Sequence, residues 1–266
     1  MIFAGIDIGS TTTEAVLLDE VKTILAKSQI PTGYALDEAA EKAIGICCME
    51  LGCSQNDFTY CVSTGYGREL VPNANENFTE ISCHAKGANF WFPEARGVVD
   101  IGGQDSKAIA INEFGRIVDF AMNDKCAAGT GRFLEVMASI MDIEVGEMGS
   151  LSLQAQKDVK ISSICTVFAE SEVISLLAKK TSSPYDIMAG IHNAAARRVN
   201  ILVQKVGLQP PIVMTGGVAR NVGIVHAFEK LLGFGLYIPE DPQSIGALGA
   251  AIIACEGYKK AKSFSK

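Results

Sequence analysis

GIDIGSTTTEAV at residues 5–16 recurs, weakened, as VVDIGGQDSKAIAI at residues 98–111. Aligned on their aspartates, Asp7 matches Asp100, Gly9 matches Gly102, and Thr13-Glu14-Ala15 matches Ser106-Lys107-Ala108 at one constant offset. Each copy opens as an apolar run that reads as a buried strand, breaks at an aspartate and glycines, and resumes as a second strand. That is the pattern of a hairpin whose turn lets backbone N–H groups face outward. Such turns hold phosphates. Two copies facing each other across a cleft would grip one polyphosphate and its metal ion from both sides. Asp7 and Asp100, each at a strand end, would hold Mg2+ through water, because that ion keeps much of its hydration shell. The competing reading is that both aspartates merely cap turns.

A chain of 266 residues has room for one large domain or two of about 100–150 residues, and the repeat favours two. The expected division is residues 1–95 and 96–244, with a small-residue-rich closing helix, 245–266, crossing back to the first lobe. With 48% apolar and 20% charged residues the composition is that of a folded protein. A net charge of −7 without a basic stripe argues against a nucleic-acid partner. No apolar run reaches about 18 residues and no signal peptide is legible, so the expectation is a cytoplasmic protein with no membrane partner. A reducing compartment directs the eight cysteines away from disulfides. Cys47, Cys48, Cys61 and Cys255 fall in helical or strand patterns and read as core filler.

The periodicity predicts strands at 2–8, 14–19 and 23–30, a helix at 35–52, a strand at 58–63 and a short helix at 83–91. The cycle then restarts. Strands at 97–101, 106–112 and 116–121 precede helices at 130–142, 168–180 and 185–206, a strand at 211–215, a helix at 219–232, a strand at 235–238 and a helix from 245. Three meandering strands followed by alternating helix and strand, done twice, give an α/β fold of two related lobes, mixed sheets covered by helices.

Two further glycine turns share the phosphate chemistry: Gly129-Thr130-Gly131, which opens a helix, and Thr215-Gly216-Gly217, which follows an apolar strand. A helix N-terminus offers unpaired N–H groups and the positive end of a dipole to an anion. The predicted nucleotide-binding set is therefore Asp7, Gly9, Ser10, Thr11, Thr12, Thr13, Asp100, Gly102, Gly103, Gln104, Gly129, Thr130, Gly131, Gly216 and Gly217, with Gln243.

At these residues the chain resembles the actin, sugar kinase (hexokinase) and heat-shock-protein-70 ATPase superfamily, whose lobes are ribonuclease H-like. GIDIGSTTT looks like its first phosphate loop, VVDIGGQDSK its second, and VMTGGVARN its adenosine motif. Within it, the chain is similar to the ATP-dependent activators of 2-hydroxyacyl-CoA dehydratases along nearly its whole length. STGYGRE at 63–69, EISCHAKGA at 80–88, NDKCAAGTGRFLEVMA at 123–138 and CTVFAESEVIS at 165–175 carry that similarity. One departure is plain: the activators usually have a lysine where this chain has Glu14. A carboxylate there would repel a γ-phosphate, and Lys107, at the equivalent place in the second repeat, is the candidate to replace the missing charge. Gln104 and Asp105 are placed to position a water on the γ-phosphate, as hydrolysis without a phosphoryl acceptor requires.

Cys126 and Cys165 share a setting no other cysteine has, each just ahead of a predicted helix. A helix N-terminus stabilises a thiolate, and Lys125 adds positive charge beside Cys126. Two thiolates cannot complete a four-cysteine iron–sulfur site, but a two-fold dimer supplies four. Zinc would suit four thiolates equally, and a disulfide needs only two. The resemblance implies a homodimer bridged by one [4Fe-4S] cluster. It further implies ATP/ADP and Mg2+ as ligands, ferredoxin or flavodoxin as electron donor, and a 2-hydroxyacyl-CoA dehydratase or related iron–sulfur protein as acceptor. A small-metabolite kinase and a filament-forming or chaperone-like module are the competing classes. His84, His192 and His226 have no metal-binding spacing, and Glu170 and Glu172 read as first-turn carboxylates favoured by the helix dipole.

Overall fold

The computed structural model describes residues 1–71, 73–162 and 165–264. The chain divides into two compact units: Met1–Ala95 with Ile111–Ile117 and Pro239–Lys266, and Arg96–Ala110 with Val118–Ile238.

In the first unit, β1 (Ile2–Ile8), β2 (Thr12–Leu18), β3 (Ile24–Pro31), β4 (Phe58–Gly65) and β5 (Glu76–Asn77) form a sheet in the order β3-β2-β1-β4-β5. β1 runs antiparallel to β2 and parallel to β4. Its near-continuous apolar sequence follows from coverage on both faces. Ala4, Ile6 and Ile8 pack with Ala40, Ala43 and Ile44 of α1 (Leu36–Leu51). The other face meets α8 (Ile245–Phe264), where the Cα of Gly5 lies against the backbone of Ala247, Ala250 and Ala251. α2 (Glu80–Trp91) packs in turn on α8, with Gly87 and Gly249 at the crossing.

The second unit repeats the topology. β6 (Gly97–Ile101), β7 (Ser106–Ile111), β8 (Ile117–Asn123) and β9 (Ile212–Thr215) are ordered β8-β7-β6-β9, with β6 antiparallel to β7 and parallel to β9. Val99, Ile101 and Met214 share a core with Phe133 and Met137 of α3 (Gly131–Ile140), Ile187 and Val199 of α6 (Pro184–Val206), and Phe228 of α7 (Val222–Leu232). α5 (Thr166–Lys179) packs on α3 and begins two residues earlier than its periodicity predicts. The short α4 (Met148–Ser152) and β5 carry too few periodic positions to be legible in the sequence. The expected strand at 235–238 is reduced to one parallel bridge, Val213 to Tyr237. Pro239 follows at once and has no N–H to continue a ladder.

Cys47, Cys48, Cys61 and Cys255 are buried, as their patterns predict, and burial pushes the Cys61 thiol up to about 12. Among the described residues no helix is long and apolar enough to cross a membrane.

His192 ties α4, α6 and α7 together. Its Nδ1 lies 2.9 Å from Ser152 Oγ and its Nε2 3.3 Å from Asn221 Nδ2, while Asn221 Oδ1 caps α7 by accepting from the N–H groups of Gly223 and Ile224. Burial pushes His192 down from 6.5 to about 4, so the folded protein holds it neutral. The unfolded chain takes up the proton first as the pH falls, so this contribution is full above about 6.5 and is lost toward 4. Between pH 7 and pH 5 the loss is about 2 kcal/mol. Urea denaturation at the two pH values should show His192→Gln losing about 2 kcal/mol less than the wild type. Equal losses would show that another group sets the acid response.

Candidate functional site

The two aspartate–glycine turns are built alike. After β1, Gly9 N–H donates to Thr12 C=O at 2.9 Å; after β6, Gly102 N–H donates to Asp105 C=O at 3.0 Å. Each bond closes a tight turn and leaves the next two amides aimed outward. Among the described residues, the N–H groups of Ser10, Thr11, Gly103 and Gln104 donate to no backbone carbonyl. Successive outward N–H groups of this kind form an anion-binding concavity.

The repeat goes deeper than its sequence echo. Thr64 and Gly65 end β4 beside Asp7, and Thr215 and Gly216 bear the same relation to Asp100 across β9 and the turn that follows it. Both glycines take the left-handed region, φ +86° and +85°. In each the position a Cβ would occupy lies against the Oδ1 of its aspartate and the carbonyl one residue on, so a side chain is excluded twice over. A 3-10 turn follows each glycine, Arg68–Leu70 and Gly217–Arg220. The Thr-Gly pair closing STG at 63–65 and MTG at 214–216 is the sequence signal of this second repeat, and the residues around it diverge.

Charge separates the copies. In the second, Lys107 is 1% exposed, and its Nζ meets Asp100 Oδ2 at 3.1 Å and Asp105 Oδ1 at 2.8 Å. Thr215 Oγ1 donates to Asp100 Oδ1 at 3.3 Å. The expectation that Lys107 replaces a charge missing from the first loop is therefore corrected: its ammonium neutralises its own loop. Asp105, expected to orient water, has one oxygen committed to that lysine, whereas the Gln104 side chain beside it is exposed. In the first copy Glu14 takes the register of Lys107 and is 3% exposed. Gln243 Nε2 donates to Glu14 Oε1 at 3.1 Å and to Thr12 Oγ1 at 2.7 Å. Gln243 thus braces the first loop.

Thr13, assigned to nucleotide binding in the sequence, has 0% exposure, and its hydroxyl pairs with that of Thr32 at 2.9 Å. It supports the loop from beneath. Thr32, which no sequence motif marks, also donates through Oγ1 to Gly9 C=O and through N–H to Thr11 C=O.

The structure brings the Gly129–Gly131 turn to the second loop, with a correction to its role. Gly131 N–H donates to Gly102 C=O and Arg132 N–H to Gly103 C=O, both at 2.8 Å, so these two amides of α3 anchor the loop and are not offered to an anion. Gly129 has φ +87°, and Thr130 is buried with its hydroxyl on Ala127 C=O at 2.7 Å. Gly131 also packs against Val218, which follows Gly217.

Cys126 and Cys165 are free, half-buried thiols in the second unit. Cys165 is the N-cap residue of α5, and Cys126 precedes the turn that starts α3. Asn123 Nδ2 donates to Cys126 C=O at 2.8 Å, fixing the strand exit. Because α5 starts at Thr166, its first turn holds no acidic residue, so the expectation that Glu170 and Glu172 are first-turn carboxylates is corrected; Glu172 Oε2 accepts from Ser162 N–H at 2.7 Å. Among the described residues of one chain no three His, Cys, Asp or Glu side chains gather to hold a metal ion.

The chain is similar to the (R)-2-hydroxyglutaryl-CoA dehydratase activating ATPase of Acidaminococcus fermentans, 46% identical over 97% of both chains. A solved activator of the 2-hydroxyisocaproyl-CoA dehydratase from Clostridium difficile, with bound ADPNP, superposes with a TM-score of 0.93 at 45% identity, covering 100% of this chain and 98% of that one. A ROK family glucokinase from Streptomyces griseus shares the fold alone, with a TM-score of 0.61 at 14% identity over 97% of this chain and 100% of that one. The model of the BadF/BadG/BcrA/BcrD ATPase family matches residues 4–254, and the chain belongs to that family.

Proposed function

We propose that this protein is an ATP-hydrolysing electron donor that activates a 2-hydroxyacyl-CoA dehydratase or a related acyl-CoA reductase. The observation that carries the reading is the hydrogen-bonded link between the second loop and the start of α3, a few residues after Cys126. Gly102 and Gly103 are hydrogen-bonded to the first amides of α3, and Cys126 stands just ahead of the same turn. A phosphate that reorders the loop pulls on the N-terminus of α3 and thereby on that thiol. ATP and ADP phosphates bind at the outward amides of the two turns, Mg2+ is held through water by Asp7 and Asp100, and Gln104 orients the attacking water. The two compact units, close to the expected division at 95/96 except that Ile111–Ile117 and residues 239–244 belong to the first, act as the two ATPase lobes of a cytoplasmic homodimer.

The donor set fits a cluster shared between two copies. Cys126 and Cys165 are both free and partly accessible, and the Thr166 hydroxyl beside Cys165 is buried without a hydrogen-bond partner among the described residues. Cys126 and Cys165 from each copy would hold one [4Fe-4S] cluster, which when bound supplies one-electron transfer. The α3 and α5 N-termini stabilise the thiolate form through their dipoles. Ferredoxin or flavodoxin is the donor, and the dehydratase is the acceptor. ATP acts by its differential affinity for two conformations, and hydrolysis resets them.

Anaerobic purification with iron and sulfide analysis tests this. The wild type should carry about two iron atoms per chain. Cys126→Ser and Cys165→Ser should each lose most of the iron while keeping the fold by circular dichroism. A colourless, iron-free wild type prepared without oxygen would sink the proposal.

A further inference from the structure

α1 ends in a Schellman motif whose two meeting side chains are both thiols. Gly52, the residue after Leu51, is left-handed at φ +65°. Its N–H donates to Met49 C=O at 3.4 Å, and the N–H of Cys53 reaches back to Cys48 C=O at 3.0 Å. An apolar contact between the side chains of the residues joined by that second bond ordinarily accompanies this ending. Here the contact is Cys48 with Cys53.

The two sulfurs differ in what can reach them. Cys48 is 8% exposed within the core of the first sheet, whereas Cys53 is half-buried at the edge of that core. Burial first, and then the Cys53 thiol, push the Cys48 thiol up. One thiol acts on another in this way only at close range. The neighbouring cysteines are engaged otherwise: Cys47 Sγ donates to Ala15 C=O of β2 at 3.7 Å, and burial alone raises Cys61. Ordinary bond lengths added to the 3.0 Å backbone bond limit the separation of the Cys48 and Cys53 α-carbons to about 6.9 Å, reached only with every bond in line. A disulfide spans about 4.4–6.8 Å between α-carbons.

We infer that Cys48 and Cys53, both free in this structure, are a reversible redox pair and a modification site for low-molecular-weight disulfides. The accessible partner acts first. The Cys53 thiolate attacks the small disulfide, its S–S bond breaks, and one small thiolate leaves as a mixed disulfide forms on Cys53. Cys48 then loses its proton to water, attacks the Cys53 sulfur and expels the second small thiolate. The pair gives up two electrons and two protons, and the small disulfide becomes two thiols. Closure ties the last turn of α1 to the segment leading into β4. Neither nucleotide nor iron takes part.

The test uses the full-length protein, purified without oxygen and incubated with glutathione disulfide. Remaining thiols are blocked, and the protein is digested with trypsin and a glutamate-specific protease. Cleavage after Lys42, Glu50 and Arg68 separates a peptide carrying Cys47 and Cys48 from one carrying Cys53 and Cys61, while Cys126 and Cys165 fall on others. Mass spectrometry of the wild type should find the first two peptides joined, and dithiothreitol should part them. Cys47→Ser and Cys61→Ser should keep the link. Cys48→Ser should lose it and hold at least about tenfold more glutathione on Cys53, because the mixed disulfide then lacks the adjacent thiol that resolves it. Cys48→Ala serves as the second variant where serine disturbs the core. Equal glutathione on Cys53 in the wild type and in both Cys48 variants, loss of the link in Cys47→Ser, or a link that forms only in urea would overturn the inference.

Discussion

Lys107→Met should destabilise the protein by about 3–5 kcal/mol, the scale on which removal of one partner breaks a buried ion pair. The lysine side chain is 1% exposed and faces Asp100, itself 4% exposed, at 3.1 Å. Methionine keeps the volume but leaves the Asp100 carboxylate buried against an apolar group. The second partner, Asp105, is 24% exposed and can turn to water, so most of the cost falls on Asp100. Urea denaturation measures the loss, and Lys107→Met combined with Asp100→Asn should recover much of it, because the double variant removes the stranded charge. A loss below about 1 kcal/mol, the ceiling for exposed pairs such as Lys42 with Glu38, would show that water reaches the pair.

Gly249→Val should cost about 3 kcal/mol or more, at the upper end of overpacking effects, and sharply lower the melting temperature. The position a Cβ would occupy at Gly249 falls on the Cys83 carbonyl, with Cys83 Cα at 2.9 Å. The obstacle is backbone, which cannot swing aside as a side chain can. α8 is also held from the other side, where Gly5 meets Ala247 and Ala251, so the helix cannot back away from α2 without leaving the sheet. Gly257 lies in the same helix, and nothing stands within 4 Å of its Cβ position. Gly257→Ala should therefore stabilise by about 0.5–1 kcal/mol through helix propensity alone. If the two substitutions gave similar melting temperatures, close packing of α8 would not be what requires Gly249.

Much of this architecture was legible in the sequence because its signals are local. The apolar runs, the aspartate–glycine breaks and the strand–strand–strand–helix order at 2–52 predict the sheet and its repeat. Cys126 and Cys165 could be separated from the other six cysteines by their places ahead of helices, and the structure sets Cys165 at the cap of α5. The strand expected at 235–238 failed because its apolar pattern ignores the proline that ends it. The role of the Gly129–Gly131 turn is not legible in the sequence for another reason. A glycine before a helix looks the same whether its amides serve a ligand or a neighbouring loop, and here Gly102 and Gly103 supply the acceptors.

Glu14 marks the boundary between the two kinds of information. Spacing along one strand sets which residues follow each aspartate, so the linear chain already shows a carboxylate in one copy against Lys107 in the other, each at the end of a phosphate-type turn. The fold alone shows that Glu14 lies buried beside Asp7, and that its brace is Gln243, 229 residues away. Likewise, only folding could seal Lys107 against Asp100 and Asp105. Strand register and helix approach bring together groups far apart in the chain, and burial then makes charge pairing between them costly to break.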